Sequence, residues 1–109
     1  MSYSVEVLEA ARVDIDDIYD YIADELQNPI AAIRRVTLIE QAIASLRENP
    51  KRFPLVRDDS LALEGYRMII VKNHLVFFVI CEPGKLVSVI RVLYGRRNWQ
   101  YVLKEGDQP

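Results

Sequence analysis

The spacing of apolar side chains changes at Asn49-Pro50, and that change constrains the fold more than any other feature. From Glu9 to Asn49 apolar residues recur every three or four positions; after Pro50 they come in short runs bounded by turn residues. Ala11, Ile15, Ile18, Ile22 and Leu26 form one helical stripe beginning near Glu9. Ala32, Val36, Ile39, Ile43 and Leu46 form a second, on a helix opening at Asn28-Pro29, where Asn can cap and Pro suits the first helical position. Asn49-Pro50 ends it, because the residue before a proline is pushed out of the helical region. So short a link between two helices predicts an antiparallel helical hairpin.

Residues 3–8 alternate as a short leading strand, and 66–72, 75–81 and 86–94 read as three more. Asn73-His74 separates the first two of these and Glu82-Pro83-Gly84-Lys85 the next two, both with turn chemistry. Residues 51–63 have no clear period and read as a loop. The predicted fold is α+β, in the order β-α-α-β-β-β: an N-terminal strand and a helical hairpin packed on one face of a small, mostly antiparallel, twisted sheet. A length of 109 residues suits a single domain, expected over 1–103, with 104–109 as a frayed tail. No internal repeat interrupts it.

Composition narrows the class. No window approaches the ~18 apolar residues of a membrane span. Met1-Ser2-Tyr3-Ser4-Val5-Glu6 has neither a basic nor an apolar leader region, so a cytoplasmic location without membrane contact is expected. Cys81, the single cysteine, lies in an apolar run and is expected to be a buried, inert thiol. The net charge of −2 is unevenly spread: ten acidic and four basic side chains in residues 1–50, six and ten in 51–109. The second half is therefore the candidate anion-binding face, while Asp14, Asp16, Asp17, Asp20, Asp24 and Glu25 read as a solvated helix flank. A domain gripping several phosphates unaided would be basic overall.

The chemistry-bearing residues are few. Glycine-rich phosphate loops, metal-ligand spacings and Ser/His/Asp sets are absent, and no cofactor or metal is predicted. His74, in or beside the hairpin turn, is either a turn residue or a general acid or base. Gly95-Arg96-Arg97-Asn98-Trp99 closes the last strand with paired guanidinium groups beside the only Trp. That arrangement suits an anionic surface, or else a solvated turn. Arg67, Lys72 and Arg91 join this basic set. Arg67 and Arg91 interrupt apolar strands, which is costly unless each is exposed or paired. Two alternatives stay open: a structural pair with Glu64 or a helix carboxylate, or a basic concavity at the sheet end.

Tyr21-Ile22-Ala23, Asn28-Pro29, Gly65-Tyr66-Arg67 and the run from Arg91 to Trp99 resemble, in this order and spacing, the RelE/ParE family of bacterial toxins over roughly residues 3–103. The resemblance implies the toxin of a type II toxin–antitoxin module, held inactive by a cognate antitoxin, as a homodimer or a heterotetramer with it. The RelE-like branch implies a metal-independent, ribosome-dependent mRNA endoribonuclease, which needs a base, an acid and cations around the developing phosphorane. The ParE-like branch implies binding to DNA gyrase. Arg67 matches the nuclease branch's first basic residue and Arg97 its last arginine. Ile69 and Leu75 stand where it has two further cations, and Leu103 where it has a tyrosine. The catalytic candidates under that reading are Arg67 and Arg97, with His74 or Tyr101 as proton donor. Each missing group is worth about two or more orders of magnitude in rate, so the sequence leans to the ParE-like branch. Target- or antitoxin-binding residues would then be Arg67, Lys72, Arg91, Arg96, Arg97 and Trp99. A degenerate module that binds antitoxin without toxicity is the third expectation.

Overall fold

The computed structural model describes residues 2–105. Strand β1 (Ser4–Val7) leads into α1 (Glu9–Asp20), which widens into a π-helical turn over Tyr21–Glu25. In this turn the Leu26 amide reaches back to the Tyr21 carbonyl at 3.1 Å. Helix α2 (Pro29–Ala44) starts as the sequence predicts, with the Ala31 N–H donating to Asn28 Oδ1 at 3.1 Å and Pro29 in the first turn. It tightens into a 3₁₀ turn at Ser45–Arg47. The expected α2 stripe faces the core, with Ala32, Ile39, Ile43 and Leu46 buried and Val36 half-buried. The α1 stripe does so less completely: Ala11 is buried, Ile15, Ile18 and Ile22 half-buried, and Leu26 is left exposed where the π-turn rotates it away.

Strands β2 (Arg67–Val71), β3 (His74–Cys81) and β4 (Leu86–Tyr94) form an antiparallel meander, and β1 joins β4 in parallel, giving the order β1-β4-β3-β2. The β2–β3 turn is Lys72-Asn73, one residue earlier than expected, with Val71 opposite His74 and Lys72 at φ 57°. His74 thus opens β3. A bulge between Phe77 and Phe78 sets Arg91 opposite Phe77 and Val89 opposite Phe78, skipping Ile90. Because side chains alternate along a strand, this slip returns Val92 to the face already carrying Val87 and Val89.

Both sheet faces are covered, which the sequence reading did not foresee. Val76, Phe78, Val87, Val89 and Val92 pack on Ala11, Ile39 and Ile43 of the helical hairpin. On the other side Leu75, Phe77 and Leu93 pack on Leu61 of α3 (Asp59–Leu63) and Val102 of α4 (Trp99–Glu105). The expected loop at 51–63 therefore contains a helix, capped by Asp58 accepting from the Leu61 amide at 3.1 Å. It is closed by Gly65 at φ 89°, with the Tyr66 and Gly65 amides donating to the Leu61 and Ala62 carbonyls. The run into the expected tail is also helical: Lys104 and Glu105 form the end of α4, and Lys104 pairs with Asp58 at 2.9 Å. Residues 106–109 of that tail lie outside the described residues. Cys81 is exposed, not buried, because it ends β3 beyond the reach of either helical layer.

Candidate functional site

Where β1 ends, opposite Val89, the outer edge of β4 loses its strand partner. Asp14 of α1 takes over. Its carboxylate accepts Nε and Nη2 of Arg91 at 2.6 and 2.8 Å and the Val92 amide at 2.9 Å. Of the alternatives open for Arg91, the helix carboxylate is the one present, and the guanidinium is buried at 9% exposure. Asp14, read as part of a solvated flank, is itself only 7% exposed. Asp14 thereby satisfies a sheet edge, and it also lines one wall of a cleft.

That cleft, about 640 Å³, lies between the helical hairpin and the ends of β3 and β4. Ile18, Tyr21, Ile22 and Leu26 form one side, and Asn73, His74, Val92, Leu93, Tyr94 and Arg97 the other. Arg35 crosses it from α2: its Nη1 donates to Asn73 Oδ1 at 2.5 Å and lies 3.0 Å from His74 Nδ1. A guanidinium can only donate, so Nδ1 accepts and the imidazole proton sits on Nε2. Burial, reinforced by the Arg35 charge, holds the His74 pKa down to about 4. The ring is therefore neutral near pH 7, stacked edge-on to Tyr94 with centroids 6.0 Å apart. A neutral imidazole with its lone pair committed to Arg35 is poorly suited to act as a general acid.

The remaining predicted residues are dispersed. Arg67 donates from Nη1 to the Phe53 carbonyl at 2.7 Å and the Lys51 carbonyl at 3.4 Å, holding the segment after α2 against the sheet. It stands opposite Phe78, four residues along β3 from His74, on the order of 13 Å at the usual strand rise. Arg67 and Arg97 are thus not brought together. Trp99 starts α4 and packs on Phe77 with ring centroids 5.2 Å apart. Lys72, Arg96 and Tyr101 are exposed around the hairpin turn, the turn after β4 and α4. Among the described residues no group of three or more His, Cys, Asp or Glu side chains could hold a metal ion, and no helix is long and apolar enough to cross a membrane.

Arg35 escaped the sequence reading. The signal was present: it sits three after Ala32 and four before Ile39, a cation on an apolar stripe. Only the fold shows what it meets.

Residues 5–99 match the family described as ParE toxin of type II toxin-antitoxin system, parDE. The chain belongs to that family. Its fold is shared with a solved structure of the chromosomal ParDE toxin–antitoxin system from P. aeruginosa, at TM-score 0.70 and 20% identity, over 85% of this chain and 96% of that one. The toxin–antitoxin complex RelBE2 from Mycobacterium tuberculosis matches at TM-score 0.59 and 22% identity, over 86% and 99% of the two chains. No curated protein matches the sequence. The ParE toxin family membership agrees with the expected RelE/ParE resemblance, and the four-stranded sheet with its helical hairpin is the fold these structures share.

Proposed function

We propose that this ParE-family toxin arrests growth by binding DNA gyrase and is neutralised by a cognate antitoxin. The observation that carries the reading is the family match across residues 5–99. Two features of the site support a binding role over RNA cleavage. The Arg67 guanidinium is turned inward onto backbone carbonyls, away from the end of the sheet where Arg97 lies. His74 is held as a neutral acceptor by Arg35. Phosphoryl chemistry on RNA needs cations and a proton donor converging on one phosphate. On this reading the cations facing a target or the antitoxin are Lys72, Arg96 and Arg97, while Arg91 and Trp99 brace the fold beneath them. The protein then works in the cytoplasm, where its target is.

Induced expression should stop growth, raise the DNA-damage response and, with purified gyrase, inhibit supercoiling. Growth arrest accompanied by mRNA cuts at the ribosomal A site, with normal supercoiling, would replace gyrase with the ribosome. No growth defect at all would reduce the chain to an antitoxin-binding module.

A further inference from the structure

The cleft holds a cation to which the fold supplies no anion. Arg35 is half-buried, both its contacts use Nη1, and both partners are neutral: the Asn73 amide oxygen and the His74 ring. Among the described residues no carboxylate pairs with it. Of the two carboxylates lining the cleft, Asp14 is committed to Arg91 and the Val92 amide, and Asp17 is exposed to solvent. A guanidinium partly withdrawn from water, with its Nε and Nη2 edge uncommitted, presents the fork that a carboxylate fills.

The walls are shaped for an apolar body. Tyr21 and Ile22 belong to the π-helical turn and Leu26 follows it directly. A regular α-helix would carry Leu26 along the stripe of Ile15, Ile18 and Ile22 toward the core; instead it is 56% exposed and lines the cleft. Such turns within α-helices are rare and gather at functional sites. At about 640 Å³ the cleft falls within the range of small-ligand sites, about 300–1,000 Å³, and shares their make-up of apolar walls with a few polar groups. Charge decides the head group. Arg35 and Arg97 are balanced in the lining by Asp14 and Asp17, so the cleft has no excess positive charge with which to hold a polyphosphate or a nucleic-acid strand. A single carboxylate on Arg35 fits that balance.

We propose that the cleft is a binding site for a small organic acid, with its carboxylate on the Arg35 fork and an aryl or short acyl body against Ile22, Leu26 and Tyr94. The inference stands apart from the toxin reading, since it uses only the lining of the cleft.

The test is titration of the full chain with phenylacetate, 4-phenylbutyrate and octanoate at neutral pH, followed by amide NMR. At least one acid should saturate with a dissociation constant of about 1 mM or tighter, its shifts gathering on Leu26, Asn73, His74 and Tyr94. 2-Phenylethanol, the neutral analogue of phenylacetate, and inorganic phosphate should each bind about tenfold or more weakly than the best acid. Arg35→Gln should weaken that acid about tenfold or more, and Arg35→Lys should retain part of the affinity. Leu26→Ser should weaken it too, while Arg57→Gln, a surface cation elsewhere, should stay within about twofold. Phosphate binding as tightly as the best acid would reduce the cleft to a plain anion site and overturn the proposal. So would shifts scattered over the surface, or no saturation by any of the three acids; each of these leaves the toxin reading standing. If Arg35→Gln does not fold, Leu26→Ser and the neutral analogue decide: weaker binding of both supports the site, and unchanged binding of either overturns it.

Discussion

Asp14 shows how one side chain can serve the fold twice. It neutralises a buried guanidinium and satisfies the edge amide of Val92, which no strand reaches. Removing it takes the carboxylate from both groups, so Asp14→Ala should cost about 3–5 kcal/mol in denaturant unfolding, as for other broken buried pairs. Charge neutralisation at both positions together, Asp14→Asn with Arg91→Met, should cost less than Asp14→Ala alone, because no bare charge remains. His74 couples stability to pH. Its folded pKa of about 4 lies below the ordinary 6.5, so the unfolded chain binds the extra proton between those values. The stabilisation is complete above about pH 6.5 and is lost as pH falls through about 4, on the order of 2–3 kcal/mol. Imidazole resonances followed by NMR should titrate well below pH 6, and His74→Gln should remove that part of the pH dependence.

At the scale of elements, α3 and α4 lean on one another. Asp58 caps α3 and receives Lys104 from α4 at 2.9 Å. Lys104, then the Leu61 amide and the Ser60 hydroxyl, hold the Asp58 carboxyl down to about 2. Its folded value lies below its unfolded value of 3.8, so this stabilisation is present above about pH 4 and disappears as pH drops toward 2. Trp99 on Phe77 reports on the same layer. Its fluorescence should show a melting temperature that falls between pH 4 and pH 2, and Asp58→Asn should flatten that fall. At the start of α2, Asn28→Ala should cost about 1 kcal/mol of stability by circular dichroism, the usual value of a side-chain cap. The N-terminal signals of α2 and its stripe were plain in the sequence because caps and periodicity are local. Helix α3 had the same marks, with Asp58 before it and Gly65 after it, but five residues are too few for a period to emerge.

For the molecule as a whole, β3 and β4 are the two inner strands of the sheet, β4 with β1 beside it only as far as Val89, and both are roofed by helices on both faces. Their amides should exchange slowest with solvent, those of the edge strands β1 and β2 sooner, as read by native-state hydrogen exchange. The order of elements, the helical hairpin and the antiparallel meander were legible from the chain alone, since each follows from spacing and turn residues within a dozen positions. Tertiary structure decided the rest. Asp14 became buried only because β1 stops at Val7 and leaves an edge 78 residues away in sequence unpaired. Arg67 became a brace because the segment after α2 folds over it, and Cys81 became exposed because both helical layers end short of it. Arg35 acquired its place beside His74 through packing between α2 and β3, whose partners are 39 residues apart. Periodicity tells a residue which face it occupies; what stands opposite that face is set by how the layers close.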